Sequence, residues 1–351
     1  MKIVYVGEML PGATAAMRRD AIIELGHGVV SIDTAPHRGY TIARRTIARR
    51  AWARYVDVPY LRRRIRSLLF EALARERHDM VYVDKGIFIE EEWLRELRAR
   101  HPGIVLAHFN PDDPFAPSAA RTWHCFLKAI PQYDVHFVPR RQNVLEYENV
   151  GARRVVFQLP SRGFDPRIHH PLSASEGDVR RFKSDVCFVG GLEEERKRSI
   201  QRLLGAGIPI TVWGEGWAKA LSSWPHAIVR SPVYHHDYGK AVAGSELCIG
   251  FLRKANRDGH TSRSIEIPAC GSLLLAERTP DHCELFEEGR EAEFFDSDEE
   301  LIDKARYYLG HEQVRRRVAS AGRERCLRAG YDYMSLMKER IRISMESKAR
   351  S

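Results

Sequence analysis

The sequence predicts an α/β protein with two doubly wound, parallel-sheet domains that face each other across a cleft. Three observations predict this class. Short apolar segments of strand length alternate with helical segments along most of the chain. The alternation is interrupted once, between Leu159 and Asp178, and then restarts. The 351 residues also exceed what one core usually organises, since domains commonly hold about 100–200 residues.

Each element of the first half follows from its residue pattern. Lys2–Val6 is an apolar run that predicts a first strand, and Gly26 ends the helix that follows it. The same criteria predict the strands Val29–Ile32, Met80–Asp84, Ile104–Phe109 and Val135–Val138, and the helices Glu90–Arg100 and Arg141–Glu148. Residues 1–165 are therefore assigned to an N-terminal domain.

The interrupting segment has the composition of an interdomain linker. It holds three prolines, two glycines and the pair His169-His170, which has no third metal ligand nearby. We assign 166–180 to the linker, 181–330 to a second domain, and 331–351 to a C-terminal helix expected to pack back on the first domain. The second half is predicted to contain the strands Asp185–Val189, Ile210–Trp213, Leu247–Phe251, Leu273–Ala276 and Ala292–Phe295, and the helices Glu193–Leu204, Ser297–Leu309, Glu312–Ala329 and Tyr333–Lys348.

Composition narrows the class of protein. The chain is 44% hydrophobic and 29% charged, which is typical of a globular protein, and no apolar run approaches the ~20 residues of a membrane span. The N-terminus lacks the features of a signal peptide. The six cysteines are scattered and form no Cys-x-x-Cys pair, so neither a zinc site nor a redox dithiol is predicted. A cytoplasmic location is expected.

Part of the net charge of +9 lies between Arg38 and Arg66, where ten arginines accompany one acidic residue, Asp57. Thr-Ile-Ala-Arg-Arg occurs there twice, at 41–45 and 46–50. Interleaved apolar residues favour a basic amphipathic face for an anionic membrane surface or an anionic acceptor. The alternative is a solvated helix whose arginine stems lie over the core. Few aromatic residues accompany the arginines, so nucleic acid is not an expected partner.

The stretch from Asp258 to Gly271 crowds acidic, basic, imidazole and hydroxyl groups before the apolar run Ser272–Ala276. We predict a loop, a helix from about Ser262, a turn at Gly271 and a buried strand. Loop amides and a helix N-terminus suit an anionic ligand such as a diphosphate. Gly190-Gly191 similarly separates a predicted strand from a helix, where backbone amides can approach a phosphate without a Cβ in the way.

The run Arg263-Ser-Ile-Glu266-Ile-Pro-Ala-Cys-Gly271, with Glu277, Phe286-Glu-Glu-Gly289 and Glu299-Glu300-Leu301 after it, resembles the C-terminal domain of GT-B glycosyltransferases. The similarity covers about Asp185–Tyr333 and is greatest to the group-1 branch that includes CgeB-like spore-maturation proteins. It implies two Rossmann-like domains, an acceptor-side N-terminal one and a nucleotide-sugar-binding C-terminal one. It also implies no obligatory metal or other cofactor, with a UDP-sugar as the favoured donor.

The resemblance further implies roles for single residues. Glu266 matches a glutamate that hydrogen-bonds the donor ribose, and Asp258 stands where the family usually has a second glutamate. Arg263 would neutralise the diphosphate, on which charge grows as it departs. The other donor-binding candidates are Gly190, Gly191, Arg196, Trp213, Gly214, Asn256, His260, Thr261 and Ser262. The structural alternatives are a surface glutamate at 266, a salt bridge at Arg263, a solvated helix face at Arg196 and a core tryptophan at Trp217.

Besides Arg263, the catalytic candidates lie in the loop His108-Phe-Asn110-Pro-Asp112-Asp113-Pro114. Prolines rigidify this loop and hold two carboxylates at a strand end. In an inverting enzyme Asp112 or Asp113 would take the acceptor proton as general base. In a retaining enzyme no base is needed, and His108 would instead touch the sugar. The alternative is that the aspartates cap a helix or turn.

The sequence therefore predicts a glycosyltransferase that moves a sugar to a hydroxyl group of a glycan, lipid, small molecule or protein. Two alternatives use the same fold: a nucleotide-sugar 2-epimerase, and a catalytically inactive protein that binds nucleotide sugars. Aspartate at position 258 is the only feature that favours an inactive protein.

Overall fold

The structure, a computed structural model, describes residues 1–35, 58–117, 120–172 and 179–349. The chain divides into two compact units. Unit 1 comprises Met1–Ser161, Ala255–Arg257 and Met334–Ser351, and unit 2 comprises Arg162–Lys254 and Asp258–Tyr333. Each unit contains one six-stranded parallel sheet, which confirms the predicted α/β class.

Unit 1 is built on a sheet with the strand order β2-β1-β3-β4-β5-β6. Its strands are β1 (Lys2–Gly7), β2 (Gly28–Asp33), β3 (Met80–Asp84), β4 (Val105–Phe109), β5 (Val135–Val138) and β6 (Val155–Phe157). Its helices are α1 (Thr14–Glu24), α2 (Val58–Arg75), α3 (Glu91–Arg100), α4 (Ala120–Ala129) and α5 (Arg141–Asn149). Every residue of β3 and β4 is buried, because helices cover both faces of a parallel sheet.

Unit 2 contains a second sheet with the order β12-β11-β10-β7-β8-β9. The strands are β7 (Ser184–Val189), β8 (Ile210–Trp213), β9 (Ala227–Arg230), β10 (Ser245–Gly250), β11 (Leu273–Glu277) and β12 (Glu293–Phe295). The helices are α6 (Val179–Phe182), α7 (Glu194–Gly205), α8 (Trp217–Ala220), α9 (His235–Ala243), α10 (Ser262–Ala269), α11 (Pro280–Leu285), α12 (Asp298–Gly310), α13 (Glu312–Arg328) and α14 (Tyr333–Ala349), the last of which belongs to unit 1 from Met334 onward.

The helix α14 is fixed to unit 1 by a buried arginine. The Arg340 guanidinium lies 3.9 Å from the centre of the Phe109 ring. It also donates to the Tyr82 hydroxyl at 3.2 Å and to the Ser161 carbonyl oxygen at 2.5 Å. Arg340 has no exposed surface, so these partners replace the water that a buried guanidinium loses.

The strand orders fix where ligands are expected. The order reverses between β1 and β3 in unit 1, and between β7 and β10 in unit 2. Open parallel sheets bind ligands beyond the carboxyl ends of the strands beside such a point. Ligands are therefore expected at four loops. Two of them follow Gly7 and Asp84 in unit 1, and two follow Val189 and Gly250 in unit 2.

Most predicted elements start and end within two residues of the observed ones, but seven elements had no prediction. The strands β6 and β9 lie at sheet edges and are only partly buried, so they lack an uninterrupted apolar run. The helices α4, α6, α8, α9 and α11 were also missed.

The arginine-rich segment lies largely outside the described residues, which resume at Val58. Within the described part, Arg62 pairs with Glu90 at 3.2 Å and Arg66 with Glu96 at 2.5 Å. In the described ranges, no helix combines the length and apolar character needed to cross a bilayer.

Candidate functional site

A cationic site forms in unit 2 where β7 and β10 end. Arg196, on the first turn of α7, donates to the Gly191 carbonyl oxygen at 3.3 Å and to the Leu252 carbonyl oxygen at 3.2 Å. It thereby joins the loops that follow the two strands beside the reversal of strand order. Arg196 is buried, so the predicted alternative of a solvated helix face is wrong.

Arg263 adds a second positive charge at the same place. The guanidinium carbons of Arg196 and Arg263 lie 5.7 Å and 5.9 Å from the centre of one ring, that of Phe188. Arg196 has an ion pair with Glu193 at 3.1 Å, whereas Arg263 has no carboxylate partner among the described residues. Burial and the Arg263 charge lower the pKa of Arg196. Arg253 adds to this lowering, whereas Glu193 and Glu277 oppose it, so three cations and two acids are close together and an anion would balance the remaining charge.

The first turn of α10 carries Arg263 and adds backbone amides to this site. Thr261 is the residue before the helix, which begins at Ser262 as predicted. The first amides of a helix have no acceptor inside it and carry a partial positive charge. The Nε atoms of Arg196 and Arg263 are buried and have no hydrogen-bond partner among the described residues. Buried donors without partners are rare in proteins, so their clustering indicates a ligand.

Hydrogen bonds to α11 hold the predicted loop in place. His260 Nδ1 lies 2.9 Å from Asp281 Oδ2. The Ser264 hydroxyl lies 2.7 Å from His282 Nε2, and His282 Nδ1 lies 2.6 Å from the Glu277 carbonyl oxygen. Because a carbonyl can only accept, His282 carries its proton on Nδ1 and accepts from Ser264 through Nε2. Burial lowers the pKa of His282 to about 4, which keeps the ring neutral.

Both acidic candidates of this loop are engaged inside unit 2. Asp258 lies 3.3 Å from the Arg162 guanidinium, which also donates to the His260 carbonyl oxygen at 2.8 Å. Glu266 is 5% exposed, so the alternative of a surface glutamate is wrong. Its carboxylate accepts from the Tyr238 hydroxyl at 2.6 Å.

Sequence reasoning missed three residues of this site: Arg162, His169 and Tyr238. His169 is buried with its Nε2 atom 3.8 Å from Glu266, although the sequence placed it in a linker. The pair His169-His170 stands out in the sequence, but its pattern was tested only against a metal site. No pattern in the sequence distinguished Arg162 or Tyr238.

Two donor-binding candidates have structural partners instead. A Cβ on Gly214 would lie 2.0 Å from the Gly190 carbonyl oxygen, so this glycine permits backbone packing rather than ligand approach. Trp213 is 3% exposed and its ring stacks on Phe182. Trp217 is fully buried and donates to the Gly190 carbonyl oxygen at 2.8 Å, as the core alternative required.

Asn256 also has its partners elsewhere than expected. It belongs to unit 1, where its side-chain oxygen accepts from the Asp113 amide at 2.9 Å and its carbonyl oxygen from Arg140 Nε at 2.7 Å. The expectation that Asn256 offers this oxygen to the donor is therefore corrected.

The two aspartates after β4 differ in unit 1. Asp113 is buried, and it accepts from the Phe115 amide at 3.0 Å, from the Asn143 side chain at 3.1 Å and from Arg257. Burial opposes its ionisation, but these donors outweigh it and lower the pKa of Asp113. A carboxylate held in this way is a poor proton acceptor.

Asp112 keeps more contact with solvent. Its side chain is 31% exposed and pairs with Lys85 at 2.7 Å. Lys85 has a φ of 74°, a left-handed conformation that is uncommon for lysine and is found in turns and functional loops. Asp112 therefore remains the accessible carboxylate at this edge of unit 1.

His108 does not reach a substrate. It is fully buried on β4, and its Nδ1 atom lies 2.9 Å from His136 Nδ1. Its ring packs against Phe126 and Tyr133, with centroid distances of 4.5 Å and 5.1 Å. The expectation that His108 touches the sugar is corrected: its position on the strand turns its ring into the helix-covered face of the sheet.

An open cavity of about 320 Å³ lies elsewhere in unit 2, beside the amino ends of β10 and β11. Arg315, Arg316, Arg323 and Glu246 line it, and none of the predicted site residues does. In the part of the chain that the structure describes, no group of three or more histidine, cysteine or acidic side chains is arranged to hold a metal ion.

Part of the chain matches a known protein family. Residues 196–341, which carry Arg196, Arg263 and Glu266, match the family described as glycosyl transferase-like. A search of the curated proteins finds no match.

Solved structures match over the whole length. Sucrose-phosphate synthase from Thermosynechococcus elongatus has a TM-score of 0.69 at 13% identity, with 100% of both chains covered. Anabaena HepE in complex with UDP-glucose gives 0.62 at 11% identity, covering 99% of this chain and 100% of that one. UDP-GlcNAc 2-epimerase from Neisseria meningitidis, bound to UDP-GlcNAc, gives 0.59 at 12% identity with the same coverage.

These findings confirm the predicted resemblance at the level of the fold, while the CgeB-like branch stays a prediction. The family match lies mainly in unit 2, and the structural matches cover both sheets. The chain has the fold of the GT-B glycosyltransferases, and its residues 196–341 match a glycosyl transferase-like family.

Proposed function

We propose that this enzyme transfers a sugar from a nucleoside-diphosphate sugar to a hydroxyl group of its acceptor, with UDP as the nucleotide. Two of the similar structures hold UDP-glucose and UDP-GlcNAc, which supports the choice of UDP. The acceptor class, whether glycan, lipid, small molecule or protein, stays open.

The observation that carries this proposal is the pair Arg196 and Arg263 over one phenylalanine ring, beside the first turn of α10. Breaking the bond between the anomeric carbon and the diphosphate oxygen moves negative charge onto the diphosphate. Fixed positive groups at that oxygen stabilise the transition state more than the ground state. Arg263 suits this role because none of the described carboxylates forms an ion pair with it.

The other residues would bind the donor. The Gly191 backbone and the Thr261 and Ser262 groups would contact the phosphates, and Glu266 would accept from the ribose hydroxyls. His260, held by Asp281, would keep the loop in shape.

For the acceptor, we assign the proton-accepting role to Asp112 rather than Asp113, because the Asp112 side chain is 31% exposed whereas Asp113 is buried and accepts from three donors. This assignment applies to transfer with inversion. Retention needs no enzymic base.

The arginines also make a metal unnecessary for charge neutralisation, so we propose metal-independent transfer, testable as activity retained in EDTA. A cytoplasmic location, and peripheral contact with anionic membranes through Arg38–Arg66, likewise stay proposals.

The direct test is Arg263→Ala. We expect turnover to fall by about 100- to 1,000-fold, the cost of losing one preorganised charge donor, with a smaller loss of UDP affinity. Turnover is measured with a UDP-sugar panel and affinity by calorimetry. Arg323→Ala is the matched control, since it also has a buried Nε atom without a partner but lines the other cavity. Equal losses of turnover and affinity in Arg263→Ala would assign the arginine to ground-state binding.

A second candidate is a nucleotide-sugar 2-epimerase, favoured by the similarity to the Neisseria enzyme. Incubation of the donor without any acceptor separates the two. Conversion to the 2-epimer, followed by NMR, would replace the transferase proposal, whereas unchanged donor supports it.

A further inference from the structure

The Glu266 carboxylate has two neighbours that the proposed reaction has not used. The Tyr238 hydroxyl, from α9, donates to Oε2 at 2.6 Å. His169, from the segment before α6, places Nε2 3.8 Å from Oε1. One polar side chain therefore faces each carboxylate oxygen.

The hydrogen-bonding groups around His169 determine which of its ring nitrogens carries the proton. The Asp165 amide N–H lies 2.9 Å from Nδ1 and the Asp165 carbonyl oxygen lies 3.2 Å from it; because an amide N–H can only donate and its contact is the shorter one, Nδ1 accepts. The proton of a neutral ring then sits on Nε2. Burial lowers the pKa of His169 despite the nearby acids, which keeps the ring neutral. Nε2 is buried and has no hydrogen-bond partner within normal distance.

The two neighbours also hold one another. The rings of His169 and Tyr238 meet edge to face, with centroids 5.6 Å apart and planes at 80°. Neither side chain can rotate without disturbing the other, and both are fixed against a carboxylate that is itself 5% exposed.

We propose that Tyr238 and His169 are positioning residues, which orient the Glu266 carboxylate so that it accepts from two vicinal hydroxyls of the donor ribose. A carboxylate offers about four acceptor directions: the Tyr238 hydroxyl occupies one, and the His169 ring lies against the other oxygen on its protein side. The remaining directions, one on each oxygen, match a pair of adjacent hydroxyls. A donor with only one hydroxyl would leave part of a desolvated carboxylate without a partner.

The inference rests on the proposed function and adds a substrate class: ribonucleotide donors are preferred over 2′-deoxyribonucleotide donors. We expect wild-type enzyme to bind UDP about tenfold more tightly than 2′-deoxy-UDP, as for one hydrogen bond to a charged group.

The test measures both nucleotides by calorimetry in three variants. Tyr238→Phe removes only the hydroxyl, and His169→Asn keeps an acceptor near the Asp165 amide but removes the Nε2 donor. Both should reduce the preference for UDP to about threefold or less while leaving 2′-deoxy-UDP affinity nearly unchanged. Tyr234→Phe, an exposed tyrosine beside α9, is the control and should keep the full preference.

The outcomes separate the two proposals. No binding of either nucleotide to the wild type would overturn the proposed function. Wild-type preference that persists in both Tyr238→Phe and His169→Asn would overturn the positioning role alone. Equal weakening of both nucleotides would also overturn it, because a merely structural residue does not discriminate between them.

Discussion

Charged side chains at the carboxyl edges of the two sheets differ in whether they are paired with an opposite charge. In unit 1 the aspartates at the ends of β3 and β4 are neutralised within the unit, by the pairs Asp84–Arg18, Asp112–Lys85 and Asp113–Arg257. In unit 2, Arg263 has no acidic partner among the described residues and lies beside Arg196. An edge that neutralises its own charges is complete without a ligand, whereas buried excess charge is stabilised by an anion. The geometry therefore indicates an anion site in unit 2 and no comparable excess of charge at the described edge of unit 1.

The largest expected effect tests whether Asp112 of unit 1 takes part in the reaction despite its ion pair. Asp112→Asn should lower turnover by about 100-fold or more, the usual contribution of a general base, with little change in stability because its ion pair is exposed. Asp113→Asn should instead lower the free energy of unfolding by about 1–3 kcal/mol, since it breaks a buried hydrogen-bonded pair. Turnover assays and urea unfolding measure the two. Wild-type turnover in Asp112→Asn would indicate retention or another base.

A smaller effect tests which glycines of unit 2 are structural. Gly214→Ala should cost about 1–3 kcal/mol of unfolding free energy, because the new methyl would overlap the Gly190 carbonyl. Gly191→Ala is the matched comparison: no atom lies within 4 Å of its Cβ position, so stability should change by less than about 0.5 kcal/mol. Urea unfolding decides, and an equally stable Gly214→Ala would return that glycine to the ligand site.

The smallest effect compares buried histidines in the two units. Burial lowers the pKa of both His136 and His282 to about 4. The unfolded chain, with an ordinary pKa near 6.5, therefore binds more protons below that pH, and stability is lost as the pH falls from 6.5 toward 4. We expect a loss of about 1 kcal/mol or less per histidine between pH 7 and pH 6. His136→Gln and His282→Gln should each flatten the measured slope, and unchanged slopes would contradict these shifts.

The fold was predictable because its signals are local. Buried central strands such as Met80–Asp84 are continuous apolar runs, and Ser262 begins a helix where the sequence predicts one. The edge strand Ala227–Arg230 was missed because its half-exposed positions break the run.

The candidate site was predictable only where a motif is continuous. Arg263 and Glu266 stand in one recognisable stretch, whereas Tyr238 and His169 reach Glu266 from 28 and 97 positions away in sequence, as their residue numbers show. Gly214 and His108 are residue types that suit a ligand site, but in the structure they pack against Gly190 and His136. A local sequence pattern does not show contacts between residues that are far apart in the chain.

Arg340 on α14 has a consequence for biosynthesis. The Phe109 and Tyr82 side chains that it covers come from the first third of the chain. A nascent polypeptide thus cannot finish its first Rossmann-like module until residues near 340 have left the ribosome, although unit 2 is by then already synthesised. The module that starts first is completed last, and until then Phe109 and Tyr82 lack the cover that Arg340 gives them in the finished protein.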